Sequence, residues 1–301
     1  MRIGIMAGAG DGSTLDQLVA QAERAEAAGF ASFWLANIFS YDAITALAVV
    51  GRATRRIELG TAVVPTYPRH PLAIAQQALT TNAASGGRFA LGIGLSHKLV
   101  IEDMFGLSYA RPARHMAEYL AVLAPLLRGE AVDYKGEEYR VRAALQIPGG
   151  APTRLLVAAL GPAMLRITGR YADGTITWMT GAKTLATHTV PTLRKAAEEA
   201  GRPAPRIVAG LPIALVRDAA AARETASKQF AIYGQLPSYR AMLDREGAAT
   251  PGDVAIVGDE KALRAGMARL RDAGVTDFDA VVSPLEPGAA ERTLEFLAAE
   301  L

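Results

Sequence analysis

Few side chains in this chain have the type and setting for chemistry, and His97 heads them. It closes the stretch GGRFALGIGLSH, residues 86–97. A free imidazole titrates near pH 6.5 and can give or take a proton, so His97 is the first candidate proton donor. A structural or surface role is the alternative. Of the other three histidines, His70 lies in the turn PRHP and shapes that turn or a pocket, while His115 and His188 fall on helix-like segments and are assigned no catalytic role. No histidine and carboxylate set has the spacing of metal ligands, so no metal is expected. With no cysteine there is no disulfide, thiolate site or cysteine nucleophile, which fits a reducing cytosol.

The glycines before His97 invite comparison with a nucleotide-binding turn. A dinucleotide fingerprint needs Gly-x-Gly-x-x-Gly between a strand and a helix. Gly92-Ile93-Gly94 is followed by Leu95, Ser96 and His97, so the third glycine is missing. Gly92 and Gly94 either let a flat ligand approach the backbone or relieve crowding between elements. Asn37 either hydrogen-bonds a ligand or caps the next helix. Trp178 walls a pocket or fills ordinary packing.

The elements that would position these residues alternate along nearly the whole chain. Strand-like runs fall at 2–7, 30–36, 56–64, 87–94, 154–160, 174–179, 206–216 and 277–283. Helical patterns separate them. In the first, Leu15, Leu18, Val19, Ala22 and Ala25 share a face, Ser13 or Thr14 caps and Gly29 stops the helix. Another begins after Pro71 and runs to about Ala84, and a third spans about Arg111 to Arg128. A hairpin over 133–141 turns at Gly136. In the last helix Leu294, Leu297 and Leu301 share a face. Eight strand–helix units in 301 residues are the arithmetic of an α/β (β/α)8 TIM barrel, a single domain over 1–301, rather than a doubly wound open sheet. The stretches 96–110 and 217–258 read as insertions after strands four and seven.

Such barrels keep their active sites at the C-terminal ends of the strands. That end gathers Ala7–Gly10, Asn37, Ala62–Thr66, Gly92–His97, Leu160–Met164, Trp178–Gly181 and the region near Pro212. Half the residues are apolar and the formal charge is +2 without a basic run, so no nucleic-acid partner is expected. The N-terminal stretch is too short for a signal peptide, and no apolar run approaches the roughly 20 residues of a membrane helix. A cytoplasmic protein with no membrane partner is the expectation.

The stretch LGTAVVPTYPRHPLAIAQQALTTNAASGGRFALGIG resembles the strand-three to strand-four segment of the luciferase-like superfamily of flavin and deazaflavin oxidoreductases. EAAGFASFWLAN, RPARHMAEYLAVLAPLLRGEAVDYKGEEY and RYADGTITWMTG extend the likeness over most of the chain. It is nearest to the actinobacterial branch that uses coenzyme F420, a deazaflavin. The resemblance implies an F420-dependent hydride transfer to or from a small organic substrate, and a homodimer. The alternatives it leaves are an FMN-dependent monooxygenase served by a reductase, and a catalytically silent cofactor-binding protein.

Carried over by position, the resemblance implies a non-prolyl cis peptide at Ala62–Val63 backing the deazaflavin ring. It implies that the loop Leu160, Gly161, Pro162, Ala163 and Met164 binds the cofactor's phosphodiester at a helix N-terminus. Ala7, Asn37, Gly92, Gly94, Ser96 and Trp178 complete the expected cofactor pocket, with His97 and Asn37 as catalytic candidates. After strand two several relatives carry an acidic residue and a histidine, where this chain has Asn37 and Ile38. That departure argues against a sugar-phosphate dehydrogenase that uses the histidine as base.

Overall fold

The computed structural model describes residues 1–7 and 12–301. Gly8, Ala9 and Gly10, expected at the mouth after strand one, lie outside the described residues. Eight parallel strands form a closed barrel: Arg2–Met6, Ser32–Leu35, Glu58–Thr61, Phe89–Gly94, Arg154–Val157, Gly174–Trp178, Arg206–Leu215 and Asp277–Val282. They are called strands one to eight below. Closure is made by strand eight, whose Asp279 is in register with Gly4 of strand one and Gly210 of strand seven. Among the described residues no helix is long and apolar enough to cross a membrane.

Alternation along the strands divides two apolar regions. Phe33, Leu59, Leu91, Leu155, Ile207 and Phe278 point outward and pack under the helices. Trp34, Ala90, Leu156, Ile176 and Val208 form a separate cluster that fills the lumen, with Met6, Ala62 and Val63 packed above it. Trp34 is fully buried and donates from Nε1 to the Ser32 hydroxyl at 2.8 Å. Its indole occupies the space that a side chain at Gly60 would need, so one large residue is matched by a small one on the next strand.

The N-terminal ends of the strands close the lumen with ions. Arg206 makes paired hydrogen bonds to Asp277 at 2.9 and 2.7 Å and also bridges to Glu58. Arg2 bonds Glu58 at 2.7 Å. The Arg206 guanidinium lies 5.5 Å from the Trp34 ring centroid. The charged base therefore stacks directly under the apolar lumen.

Local chemistry sets the helix limits. Leu15–Ala28 opens with a capping box between Thr14 and Gln17, and Gly29 ends it at φ 93°, a left-handed conformation that glycine adopts at no steric cost. Asp42 caps Ala43–Ala53, and His70 caps Pro71–Ala84 by accepting from the Leu72 N–H. After strand four come a π-helical turn at Val100–Met104, the helix Pro112–Leu127, and the hairpin Val132–Lys135 with Arg140–Ala143. The Glu118 carboxylate fastens that hairpin by accepting from the N–H groups of Glu137, Glu138 and Tyr139. The insertion after strand seven is helical, with Ala219–Gln229, Ala231–Gln235 and Pro237–Glu246 preceding a short strand Ile256–Gly258 that pairs with strand seven.

Two sequence expectations need correction. Strand three does not run unbroken over 56–64: it stops at Thr61 and pairing resumes at Val64–Pro65. The last helix, Ala289–Ala299, buries Ala289, Thr293, Phe296 and Leu297, whereas Leu294 and Leu301 are exposed. The stripe that packs is set by Thr293, whose hydroxyl accepts from the Leu215 N–H at the end of strand seven.

Candidate active site

The break in strand three forms one floor of the barrel mouth. The Ala62–Val63 peptide is cis, at the position the family resemblance implies. The bulge leaves strand four without regular partners over this stretch, and Thr61 supplies them. Its hydroxyl donates to the Gly92 carbonyl at 2.8 Å and accepts from the Gly92 N–H at 2.9 Å. Val64 and Pro65 then re-enter register with Ile93 and Gly94. A side chain at Gly92 would strike the Thr61 carbonyl, and one at Gly94 would come within 2.8 Å of Val63 Cγ2 and 3.2 Å of Ala158 Cβ. The close approach at these glycines is thus that of the neighbouring strands. Their absent side chains leave room for the bulge, which carries the partly exposed Ala62 and Val63 at the mouth.

Strand four separates this floor from strand five, whose Leu156 is in register with Gly92. Strand five leads through Leu160 and Gly161 into the helix Pro162–Tyr171, which has no side-chain cap. Pro162 has no N–H, and the first-turn N–H groups of Ala163 and Met164 lack intrahelical partners. Nothing lies within 4 Å of where a Gly161 side chain would begin. His188 holds the approach in place through a 2.8 Å hydrogen bond between its Nε2 and the Leu160 carbonyl. The open helix terminus has the donors and dipole that suit an anion.

The opposite wall is aromatic. The His97 ring lies 5.9 Å from Tyr239 and 6.5 Å from Tyr233, centroid to centroid. Tyr233 also meets Trp178 at 5.8 Å, and Phe230 packs edge-on against Trp178 at 5.5 Å. These rings come from the end of strand four, the end of strand six and the helical insertion after strand seven. Burial among them lowers the His97 pKa, which keeps the imidazole neutral near pH 7. Burial raises the Tyr233 and Tyr239 pKa values, so both phenols stay protonated. Two backbone positions at this rim are left-handed without being glycine, Ser96 at φ 61° and Met179 at φ 52°. Such conformations cost of order 1–3 kcal/mol each and collect at functional sites. The Ser96 carbonyl is tied to the Tyr109 hydroxyl at 3.3 Å.

Other expected residues are placed differently. The Asn37 side-chain oxygen accepts from the Ala43 N–H at 3.0 Å, so that atom serves the following helix. Ala7 is buried, and its N–H is taken by the Trp34 carbonyl; its part in a pocket is confined to its backbone and methyl. His115 stacks on Tyr67 at 3.9 Å and bonds the Thr66 hydroxyl at 2.9 Å. Burial brings its pKa down to about 4, which makes it a neutral prop for the strand-three loop. Among the described residues no group of three or more histidines and carboxylates could hold a metal.

Sequence reasoning missed Tyr233, Tyr239 and Asp279. The tyrosines lie in an insertion without a motif. Asp279 carried a signal in the alternation of DFDAVV. Phe278 and Ala280 pack in the outer core, so Asp277 and Asp279 face the lumen. Asp277 is paired with Arg206, but neither oxygen of the buried Asp279 has a hydrogen-bond partner within the protein. Gly210, in register on strand seven, borders it: a side chain there would begin 3.6 Å from Asp279 Oδ2. Burial raises its pKa well above the carboxylate range.

A closed (β/α)8 barrel with its strand break, strained residues and open helix terminus at the C-terminal end has the architecture on which barrel enzymes place their ligand sites. The family model of luciferase-like monooxygenases matches residues 1–299, and the chain belongs to that family. An uncharacterized protein of Mycobacterium tuberculosis is 30% identical over 255 residues, 79% of this chain and 75% of the relative. The F420-dependent glucose-6-phosphate dehydrogenase of Nakamurella multipartita is 38% identical over 162 residues, 52% of this chain and 48% of the relative. The solved structure of the coenzyme F420 dependent tetrahydromethanopterin reductase from Methanopyrus kandleri superposes with a TM-score of 0.83 at 23% identity, covering 100% of this chain and 98% of that one.

Proposed function

We propose that this protein is an F420-dependent oxidoreductase that moves a hydride between the deazaflavin and a small organic substrate. The observation that carries the reading is the placement, at one end of the barrel and on either side of strand four, of an apolar floor at Ala62–Val63 and the uncapped helix terminus at Gly161. A planar ring fits the first and an anionic tail fits the second. The F420-dependent dehydrogenase among its relatives supports the same choice of cofactor.

Bound there, the deazaflavin supplies a carbon centre that gives or accepts hydride, and the protein is left to bind, orient and handle a proton. Ala62 and Val63 back the ring, and the Ala163 and Met164 N–H groups hold the phosphodiester. Ser96 and Trp178 close the sides. His97 is neutral near pH 7, so it is ready to accept a proton rather than to give one. It takes the proton of a substrate hydroxyl when an alcohol is oxidised, and returns it to the carbonyl oxygen when the reaction runs backward. The protonated phenols of Tyr233 and Tyr239 can orient that oxygen as donors.

Titration of the purified protein with F420 and, separately, with FMN, followed by cofactor fluorescence, tests this reading. Tight F420 binding with little FMN binding is expected. A preference for FMN would move the protein to the oxygen-using monooxygenases, and binding of neither would leave a barrel without this chemistry.

A further inference from the structure

The rim of the mouth is more apolar than the rest of the surface. Of the eleven exposed large apolar side chains among the described residues, eight lie on the segments after strands two, four and seven. Leu99 is 63% exposed and Ile232 51% exposed. Leu99 lies two residues beyond His97, and Ile232 directly precedes Tyr233. The His97 and Tyr233 rings lie 6.5 Å apart, so Leu99 and Ile232 belong to chain segments that meet at the opening. Phe105, 44% exposed, follows on the same strand-four segment.

The loops that carry this rim are joined to one another. Asp42 after strand two is ion-paired with Arg69 after strand three. Tyr67 after strand three stacks on Tyr109 after strand four at 5.3 Å. His97 then reaches Tyr233 and Tyr239 across the mouth. Two of the charge pairs on these loops are internal, Asp42 with Arg69 and Lys98 with Glu102 at 3.7 Å, while Asp103 on the strand-four segment has no ion-pair partner among the described residues. Inside the rim the wall consists of neutral rings, with the His97 imidazole uncharged near pH 7.

We propose that the substrate is an uncharged, largely apolar alcohol or carbonyl compound. Its reacting carbon lies among His97, Tyr233, Tyr239 and Trp178, and its alkyl or aryl extension lies over Leu99 and Ile232. The proposal rests on reading the mouth as the active site. It commits the exposed apolar side chains Leu99 and Ile232 to the substrate because they sit on the same chain segments as the aromatic wall. A charged substrate would have to leave its ion unpaired against rings, which is costly.

The test uses the full chain and a homologous series of probes, butan-2-one to decan-2-one, with binding followed by isothermal titration calorimetry in the presence and absence of F420. Each added methylene is expected to tighten binding up to about fourfold. The heat capacity change should be negative and grow with chain length. Leu99→Ser and Ile232→Ser alter exposed side chains and should leave folding intact. Each is expected to weaken decan-2-one at least fivefold while leaving butan-2-one unchanged. An affinity independent of chain length overturns the proposal. So does a sedimentation shift from dimer to monomer in these variants with the chain-length dependence unaltered, which would make the rim an interface between copies. F420 fluorescence, measured separately, keeps the two readings apart. A chain-length dependence without F420 binding supports the apolar site and removes the cofactor assignment. F420 binding without a chain-length dependence does the reverse.

Discussion

A neutral imidazole without a charged partner is suited to taking a proton, and that is the sharpest statement the site allows about a single residue. Replacing His97 with Gln should lower kcat by about 10²–10⁴ in alcohol oxidation, with a smaller change in KM. Because burial lowers the His97 pKa, wild-type oxidation should hold its rate as pH falls past 6.5 and decline only below that. The variant should lose this acid limb, and paired pH–rate profiles check both points. His115 gives a stability counterpart. Its folded pKa of about 4 lies below the free value of 6.5, so its stabilising effect is complete above 6.5 and is lost as pH falls through 4. Between pH 7 and 5 the loss should be about 1–2 kcal/mol, the lower figure allowing for solvent screening. Urea midpoints for wild type and His115→Gln, compared at both pH values, measure it. Asp279 has the opposite sign. Its folded pKa is raised, so folding is most favoured at low pH and loses ground as pH rises toward the folded value. Asp279→Asn should therefore be more stable than wild type at pH 8 and should lose that advantage near pH 3, as thermal melts at the two pH values would show.

At the scale of elements the decisive piece is the break in strand three. The sequence TAVV reads as an ordinary β run, and nothing in its alternation marks Ala62–Val63 as the place where pairing stops. The hydroxyl of Thr61 is what lets the chain leave the ladder, because it serves both polar groups of Gly92. Thr61→Val keeps the shape and removes that service. Two buried backbone groups would be left unpaired at about 1–3 kcal/mol each, so a loss of about 2–5 kcal/mol in chemical denaturation is expected. F420 affinity should fall with it if the floor at Ala62–Val63 carries the ring. The helix at Pro162 was legible, since a proline after a glycine at a strand end marks a first turn. The hold of His188 on Leu160 was not, since the two residues are 28 positions apart and meet only through folding.

The whole molecule separates its duties between the two ends of the barrel. Arg206, Asp277, Glu58 and Arg2 close the N-terminal end with ion pairs, and the candidate chemistry occupies the C-terminal end. Arg206→Met would leave the buried Asp277 and the partly buried Glu58 with only Arg2 as an ionic partner and should cost up to about 3–5 kcal/mol of stability. F420 binding to the protein that remains folded should be unchanged, which denaturation and fluorescence titration can establish together. The lumen between the ends is filled by the Trp34 cluster, with Trp34 packed over Gly60.

The sequence by itself determined the repeating architecture, because strand and helix periods are local properties of neighbouring residues. It also marked most of the strand ends where a barrel places ligands, and His97 among them. It left open whether Gly92 and Gly94 meet a ligand or another strand, and whether Asn37 faces the pocket or the next helix. Those choices depend on which atoms arrive from elsewhere in the chain. Only the tertiary structure decided that Thr61 and Val63 fill the space beside the glycines and that the oxygen of Asn37 is bound to Ala43. It alone brought Tyr233 and Tyr239 from a segment without a motif to the ring of His97, since closing the barrel sets strands four and seven across one mouth.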